Sequence, residues 1–410
     1  MIEVKKTLDT HDYLWCREAA LIKVSSGRKA LTEVYSEPTD DYTVKSHLLL
    51  NGKPIMQDEA PGCPTCCSLL ARGCGIENTG CDELKIIRDK INSEYTDLRT
   101  GIKNIEPILD LLDDGHYLVA DALLYPTDGS DRFFANVKDE LSCIRAATDQ
   151  YYNSEFIEVT KGFPAYLYPT QSNSALNSGR ADFYLDKIDK DNAPRAVAYY
   201  DCGFICALLD GHHKAYAAAK KGCLLPTLVI IPFSGIGEDR RKQEKYAYFA
   251  DITLPLHELA GFEAKNERKI KNQAVEFKEY HNDPIPEDDL CLDFYPTVDE
   301  LTGLYASGAE KLDITAELVL QWIKSTDSND RERLGCVLRY YAKREPERAY
   351  TIARTVVTSV KETVGLTELI RFSYKVIAAH KCDESEQLMI NYLIDHDKSG
   401  AAWEICNSYW

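Results

Sequence analysis

A junction between an apolar strand and an alanine-rich helix is the feature that most constrains the fold of this chain. Residues 205–209 are all apolar, and Gly211 follows after a single aspartate. A helix is then predicted over residues 214–221, and a buried strand that ends in proline over residues 227–232. Because strand, helix and strand follow one another closely, this part of the chain is predicted to be an α/β or α+β domain.

The residues at the junction suggest that an anion binds there. Gly211 permits a sharp turn that a ligand can approach closely, and the free amides and positive end of the helix lie at the same place. His212, His213 and Lys214 would put cations in the first helical turn, which is unfavourable unless an anion offsets them. Alternatively, Asp210 is an ordinary N-cap and the three following side chains are solvated surface groups.

The order of elements around this junction resembles the ParB/sulfiredoxin-like superfamily. A strand, the run Asp-Gly-His-His-Lys, a helix of small residues, a glycine and a second strand follow one another over residues 196–232. The resemblance extends loosely back to residue 115. It is closer to the free-serine-kinase branch than to sulfiredoxin, because His212 stands at the position of the sulfiredoxin cysteine.

The resemblance implies a nucleotide site, with ATP or ADP and Mg²⁺ as its ligands. Gly211 and the amides of His212 and His213 would hold the phosphates, and Lys214 takes the place where the family usually has arginine. Asp210 would lie beside the transferring phosphate and orient a hydroxyl group or the metal. The expected catalytic residues are therefore Asp210 and His212.

The base that would activate the acceptor hydroxyl is not identified by the sequence. Asp182 and Asp186 are four residues apart and would share one face of a helix, whereas Asp201 is nearer to the junction. Arg180 and Arg195 could add contacts to an anion. Each of these five residues could instead be a surface charge.

A cysteine-rich segment suggests a second kind of site. Cys63 and Cys66 form a Cys-x-x-Cys pair, and Cys74 and Cys81 could complete a tetrahedral site for structural Zn²⁺. The alternatives are a redox-active dithiol or cysteines that are simply buried as small apolar side chains.

Length and charge limit the classes of partner. The 410 residues exceed the usual size of one hydrophobic core, so more than one domain is expected. A net charge of −18 without a long basic stretch argues against nucleic acid as a partner. The sequence shows neither a signal peptide nor an apolar run of roughly 20 residues, so a cytoplasmic protein without membrane segments is expected.

The predicted fold class is α+β, with a β and Cys-rich N-terminal region, a central ParB/sulfiredoxin-like domain and a C-terminal helical array. Four regions are expected: residues 1–114 with a β-hairpin, the cysteines and helices; 115–235 with the phosphate site; 236–296 as a connecting segment; and 297–410 as helices. Thr297 and Glu300 have the spacing of a capping box, and the later helices are predicted over residues 316–324, 331–343, 346–360, 367–380 and 384–395.

Two functions from different classes follow. The first is a nucleotide-dependent phosphotransferase or hydrolase that acts on a small hydroxylated substrate. The alternative is a nucleotide-sensing binding module that recruits a protein partner through its C-terminal helices. A third hypothesis is thiol redox chemistry at Cys63 and Cys66.

Overall fold

The protein is described here from a computed structural model. The described residues are 1–9, 15–35, 44–60, 69–129, 142–144, 162–239, 244–259, 295–298, 300, 301, 304, 314–325, 328–360 and 364–410. Described residues up to 259 belong to one compact unit, and those from 295 onward belong to a second. The fold class is α+β, as predicted.

Strands and helices are numbered in chain order. The strands are β1 (Ile2–Asp9), β2 (Cys16–Val24), β3 (Leu31–Tyr35), β4 (Val44–Leu50), β5 (Lys53–Ala60), β6 (Leu69–Gly73), β7 (Gly115–Leu124), β8 (Ser142–Ile144), β9 (Tyr166–Pro169), β10 (Ala196–Cys202), β11 (Ile205–Asp210), β12 (Leu225–Pro232), β13 (Gly235–Asp239), β14 (Glu244–Phe249) and β15 (Ile252–Pro255). The helices of the first unit are α1 (Asp82–Ile91), α2 (Leu98–Asn104), α3 (Glu106–Leu109), α4 (Ser178–Leu185) and α5 (His212–Lys221). Those of the second unit are α6 (Ala316–Lys324), α7 (Ser328–Arg344), α8 (Pro346–Ser359), α9 (Thr367–Ala379), α10 (Asp383–Asp395) and α11 (Trp403–Asn407).

A mixed sheet forms the centre of the first unit. Within the described residues its strand order is β1-β2-β7-β12-β10-β11-β9. Every residue of β12 is buried, which agrees with its continuous apolar sequence. Strand β10 pairs in parallel with β12 and in antiparallel with β11, and α5 connects β11 to β12. The predicted succession of strand, helix and strand is therefore confirmed.

The predicted N-terminal hairpin is wrong. Strand β2 pairs with β1 and β7, whereas β3 pairs with β4 in a different sheet. The chain between β2 and β3 instead runs along the segment after α3, where the amides of Arg28 and Ala30 donate to the carbonyls of Asp110 and Leu111. The predicted boundary at residue 115 thus lies inside one compact unit, because β7 completes a sheet with β1 and β2.

Two smaller sheets also belong to the first unit. The first contains β3-β4-β5-β6-β8 in that order, and Asn51 and Gly52 make the predicted tight turn between β4 and β5 with positive φ angles of 53° and 73°. The second contains β13-β14-β15. It occupies part of the segment that was expected to be irregular connecting structure. That expectation is wrong for these strands. The prolines and charged residues of the segment indicated irregular structure, whereas the alternating apolar residues of β14 are typical of a strand.

The second unit is helical, as predicted. Helices α6 and α8 begin at the predicted residues, and α7, α9 and α10 agree with the predictions within about one turn at each end. The capping box is also confirmed, since the Thr297 amide donates to the Glu300 carboxylate at 3.0 Å and the Glu300 amide donates to the Thr297 hydroxyl at 3.4 Å. Among the described residues, no helix has both the length and the apolar character needed to cross a membrane.

Candidate functional site

Gly211 makes the sharp turn between β11 and α5. Its φ of +106° is in the region that favours glycine, and a Cβ there would lie only 2.6 Å from the Cβ of Ala196 on β10. Both the backbone conformation and the close approach of the neighbouring strand therefore require glycine. The predicted sharp turn is confirmed, and the close approach of a ligand stays a prediction.

The start of α5 has backbone donors that make no hydrogen bond inside the helix. The first hydrogen bond of the helix runs from the Ala215 amide to the Gly211 carbonyl at 2.8 Å. Gly211 is itself the N-cap, and no side chain among the described residues caps the helix. The preceding amides therefore have no partner inside the helix. Asp210, the last residue of β11, is not an N-cap, so that alternative is wrong.

These amides lie at a cavity of about 230 Å³. Its lining residues come from four parts of the chain and are Glu77, Arg88, Gln171, Ala175, Arg180, Tyr184 and residues 210–214. Arg88 on α1 and Arg180 on α4 are exposed, and neither forms an ion pair within the part of the chain that the structure describes. Two guanidinium groups that have no ion pair among the described residues thus border one cavity together with a helix N-terminus, and that of Arg180 hydrogen-bonds Tyr184. The arrangement is suited to an anion.

Asp210 and Lys214 form a partly buried charged pair in the wall of the cavity. The Lys214 Nζ lies 3.9 Å from the Asp210 carboxylate, and their side chains are 2% and 21% exposed. Burial raises the pKa of Asp210 above its ordinary value, although the Lys214 charge opposes that rise. Burial also lowers the pKa of Lys214 to about 8, against the opposing effect of Asp210.

Lys214 does not extend freely toward a ligand. Its Nζ donates to the carbonyl of Arg195 at 2.7 Å and to that of Ile91 at 3.2 Å. The ammonium group thus joins the end of α1 to the segment before β10. Lys214 can therefore contribute a nearby positive charge to phosphate binding but not the predicted direct contact, because its ammonium group already donates to backbone carbonyls of the protein.

Both histidines are neutral acceptors in the structure. The Nε2 of His212 accepts the amides of Thr170 and Gln171 at 3.1 and 3.0 Å. The Nε2 of His213 accepts the amide of Asn177 at 3.0 Å. An imidazole nitrogen that accepts a hydrogen bond carries no proton, so each ring is protonated at most on its other nitrogen.

The pKa values of the two histidines agree with these contacts. Burial, with the neighbouring His213 as a second cause, lowers the pKa of His212 to about 3. Burial also lowers the pKa of His213 to about 4, with the positive charges of Arg180 and Arg88 as further causes. The predicted crowding of cations at the helix start is therefore wrong. The positive charge beside the cavity comes from the arginines and Lys214.

His212 is also unsuited to the predicted catalytic role. Its ring is buried, and the nitrogen that could accept a proton from a substrate is occupied by two backbone amides. The sequence could not show this, because the partners lie about 40 residues away on the segment after β9.

No family model, no curated protein and no solved structure matches this chain. What the site can bind therefore follows from its own residues.

The other predicted site residues differ in whether they line the cavity. Arg180 lines the cavity, but Arg195 forms a buried bidentate pair with Asp121 at 2.8 and 3.0 Å and so does not face a ligand. Asp182 is exposed and lies 3.9 Å from the Lys220 Nζ. Asp182, Asp186 and Asp201 are not among the residues that line the cavity. The expected contribution of Arg195 is thus wrong, and none of these three aspartates is placed to act as the base.

Sequence reasoning missed several lining residues. Glu77 follows β6 and accepts the amide and hydroxyl of Ser172, and Arg88 lies on α1 more than 100 residues before the turn. Tyr184 lines the same wall four residues after Arg180. No local pattern marks Glu77 or Arg88. The i, i+4 spacing of Arg180 and Tyr184 on one helix was an available signal.

Of the four cysteines predicted to bind zinc, Cys63 and Cys66 lie outside the described residues. Cys74 and Cys81 are buried, and burial raises the pKa of their thiols to about 12 and about 11. The Cys81 thiol donates to the Glu83 carboxylate at 3.1 Å. Within the described ranges no group of three or more His, Cys, Asp or Glu side chains could hold a metal ion, and the zinc site stays a prediction.

Proposed function

We propose that the protein binds a phosphorylated small molecule, a nucleotide such as ATP or ADP, at the cavity beside Gly211. One observation carries the proposal: the amides at the start of α5, which have no partner inside the helix, border the same cavity as the guanidinium groups of Arg88 and Arg180, which form no ion pair among the described residues. Backbone amides at a helix start and arginine forks are the donors that most often hold phosphate groups. The resemblance to the ParB/sulfiredoxin-like superfamily supports the same ligand class.

The proposed reaction is transfer of a phosphoryl group to a small hydroxylated substrate or to water. Asp210 and Glu77 are the carboxylates among the lining residues of the cavity, and Glu77 accepts from Ser172. Asp210 has a raised pKa, which makes it a better proton acceptor than an ordinary aspartate. It would accept the proton of the attacking hydroxyl, while Arg88 and Arg180 stabilise the charge on the phosphate oxygens. Mg²⁺ would accompany the nucleotide through its phosphate oxygens and neutralise phosphate charge, since Asp210 is assigned to the proton.

The size of the cavity limits how a nucleotide can bind. About 230 Å³ is below the roughly 300–1,000 Å³ that is typical of sites which enclose a whole drug-sized ligand. The cavity is therefore suited to the phosphate end of the ligand, and the nucleoside would extend past the exposed arginines. Phosphates enclosed by amides and arginines would then supply most of the affinity.

A panel of small phosphates tests the binding part of the proposal. ATP, ADP, AMP, sugar phosphates and inorganic phosphate are added singly, and the melting temperature of the first unit is followed, because a ligand of the folded state raises it. Arg88→Ala and Arg180→Ala are expected to reduce the shift, and Arg354→Ala on the second unit is the matched control. A panel without any shift would contradict the proposal.

Turnover is tested separately from binding. Asp210→Asn is expected to abolish release of phosphate from ATP in the presence of Mg²⁺, while ATP still raises the melting temperature. The Asn variant keeps the shape of the side chain but cannot accept a proton. Equal turnover by wild type and variant would remove the catalytic role and leave a binding protein.

The second candidate function is a nucleotide-sensing module that recruits a protein through its helical unit. It is favoured by two exposed apolar side chains there, Ile394 and Trp410, which are 75% and 65% exposed. Capture of a partner that depends on ATP, and that Trp410→Ser abolishes while turnover is absent, would favour this function over the first.

A further inference from the structure

A short chain of contacts joins the Gly211 turn to Arg180. The His213 ring, in the first turn of α5, accepts the backbone amide of Asn177 at 3.0 Å. Asn177 is the N-cap of α4, and its Oδ1 accepts the amide of Arg180 at 2.9 Å. The residue that caps α4 is thus held from the turn at Gly211. The next residue in this chain of contacts is Arg180, which lines the cavity and hydrogen-bonds Tyr184 on the same helix.

The other end of α4 is held independently. The Lys221 Nζ, at the end of α5, donates to the Leu185 carbonyl at 2.9 Å and lies 2.7 Å from the Asp189 carboxylate. Loss of the contact at the start of α4 would therefore not detach the helix. It would free the end that carries Arg180 while the far end stays attached.

We propose that His213 is a positioning residue, which fixes the start of α4 and thereby sets the distance between Arg180 and the free amides of the turn. This inference rests on the proposed function and names the part that one buried side chain plays in it. A phosphate that bonds both to the amides and to a guanidinium group requires them at a fixed separation, and misplacement by about 1 Å is costly in such sites.

The neutral state of His213 is necessary for this role. A protonated ring would lose the acceptor that holds Asn177. The charged groups around the ring are Arg88 on α1 and Arg180 on α4, both of which disfavour its protonation, together with Lys214 and Asp210 on its own side of the cavity. The two arginines that attract the anion therefore also help to keep the positioning ring neutral.

Arg88 provides a matched control. It faces the same cavity from α1, and no link of the chain through Asn177 includes it. If His213 acts through Arg180, the effect of replacing His213 should vanish when Arg180 is absent and persist when Arg88 is absent. A general loss of structure would instead appear in both backgrounds.

The experiment is a double-mutant cycle on the dissociation constant for ATP, measured by calorimetry on the full chain with inorganic phosphate in parallel. Arg180→Ala is expected to weaken binding about tenfold, as for loss of one hydrogen bond to a charged group. His213→Ala alone should weaken it by about fivefold or more, add nothing to Arg180→Ala, and keep its full effect beside Arg88→Ala. His213→Gln, which offers a neutral carbonyl acceptor, should restore most of the affinity.

Asn177→Ala keeps the inference testable if His213→Ala does not fold, because Asn177 is exposed and only its capping bond is lost. It should weaken ATP binding and also add nothing to Arg180→Ala. Losses that add fully in the Arg180→Ala background would overturn the positioning role while leaving the proposed function intact. If wild type binds neither ATP nor inorganic phosphate, the proposed function fails and this inference fails with it.

Discussion

Acid should destabilise the first unit through the two buried histidines, and one substitution isolates the effect. His213 has a pKa of about 4 in the folded protein against an ordinary value of 6.5. Above pH 6.5 the ring is neutral in both folded and unfolded chains. Below pH 6.5 only the unfolded chain takes up the proton, so the free energy of unfolding falls until the folded ring also titrates near pH 4.

The magnitude follows from the shift. At 1.36 kcal/mol per pKa unit, lowering the pH from 7.5 to 5 should cost about 2 kcal/mol through His213. His212, with a pKa of about 3, should cost a similar amount over the same interval, which gives about 4 kcal/mol for the pair. Other groups titrate in this range, including Asp58, whose pKa burial raises to about 6. Their contribution is the same in wild type and variant and cancels in the difference.

The assay compares wild type with His213→Gln in urea at pH 7.5 and pH 5. A brief deuterium pulse followed by mass spectrometry of the peptide that covers residues 205–221 reports the unfolding of the first unit alone. The variant should lose about 2 kcal/mol less than wild type on acidification, because glutamine does not titrate. An identical loss in both proteins would show that His213 is not a buried neutral acceptor.

Three further perturbations test the structure around the turn. Gly211→Ala should lower the unfolding free energy measured in urea by about 3 kcal/mol, because the added Cβ clashes with β10 and the φ angle is strained. Gly52→Ala has a strained φ but open space around it and should cost about 1 kcal/mol, so equal costs would contradict the packing at Gly211. Between pH 8 and pH 10 the unfolding free energy of wild type should rise by about 2 kcal/mol relative to that of Lys214→Met, since Lys214 has a folded pKa of about 8 against 10.5 and is deprotonated first in the folded chain. The difference cancels the buried thiols of Cys74 and Cys81, whose raised pKa values lower stability in both proteins over this interval; an unchanged difference would contradict the low pKa of Lys214. Asp121→Asn should cost about 3–5 kcal/mol by leaving the buried Arg195 charge without its partner, as measured by urea unfolding, and a cost below 1 kcal/mol would refute the buried pair.

The correct part of the sequence prediction rests on rules that concern the local backbone. The turn at Gly211, the helix after it and the helices of the second unit follow from glycine, capping residues and helical spacing, which act within a few residues. The Thr297 and Glu300 capping box is of the same kind. The failed N-terminal hairpin depended instead on which strands pair, and the partner of β2 is β7, almost 100 residues later.

The residues of the candidate site could be predicted only where they lie next to one another in the sequence. Asp210 and Gly211 are adjacent in sequence and were found, but Glu77 and Arg88 reach the cavity from another part of the first unit. The histidines were found and misinterpreted. An imidazole is a cation, a donor or an acceptor according to its burial and partners, and the amides that decide the matter for His212 belong to a distant segment.

The source of positive charge at the cavity determines how anion binding responds to pH, and sulfate can reveal it because its charge is constant over the useful range. If imidazolium groups attracted the anion, affinity would increase as the pH fell through 6.5. Since both rings stay neutral well below that pH, the affinity for sulfate should be constant between pH 7.5 and 5.5. Asp210 has a raised pKa and loses its repulsive charge on acidification, and Lys214, whose pKa of about 8 is supported by Asp210, gains charge over the same interval. The titration is therefore made in the double variant Asp210→Asn with Lys214→Met. Binding that tightens tenfold in this variant would return the role of cation to the histidines. Constant binding that Arg88→Ala or Arg180→Ala weakens would assign the charge to the arginines.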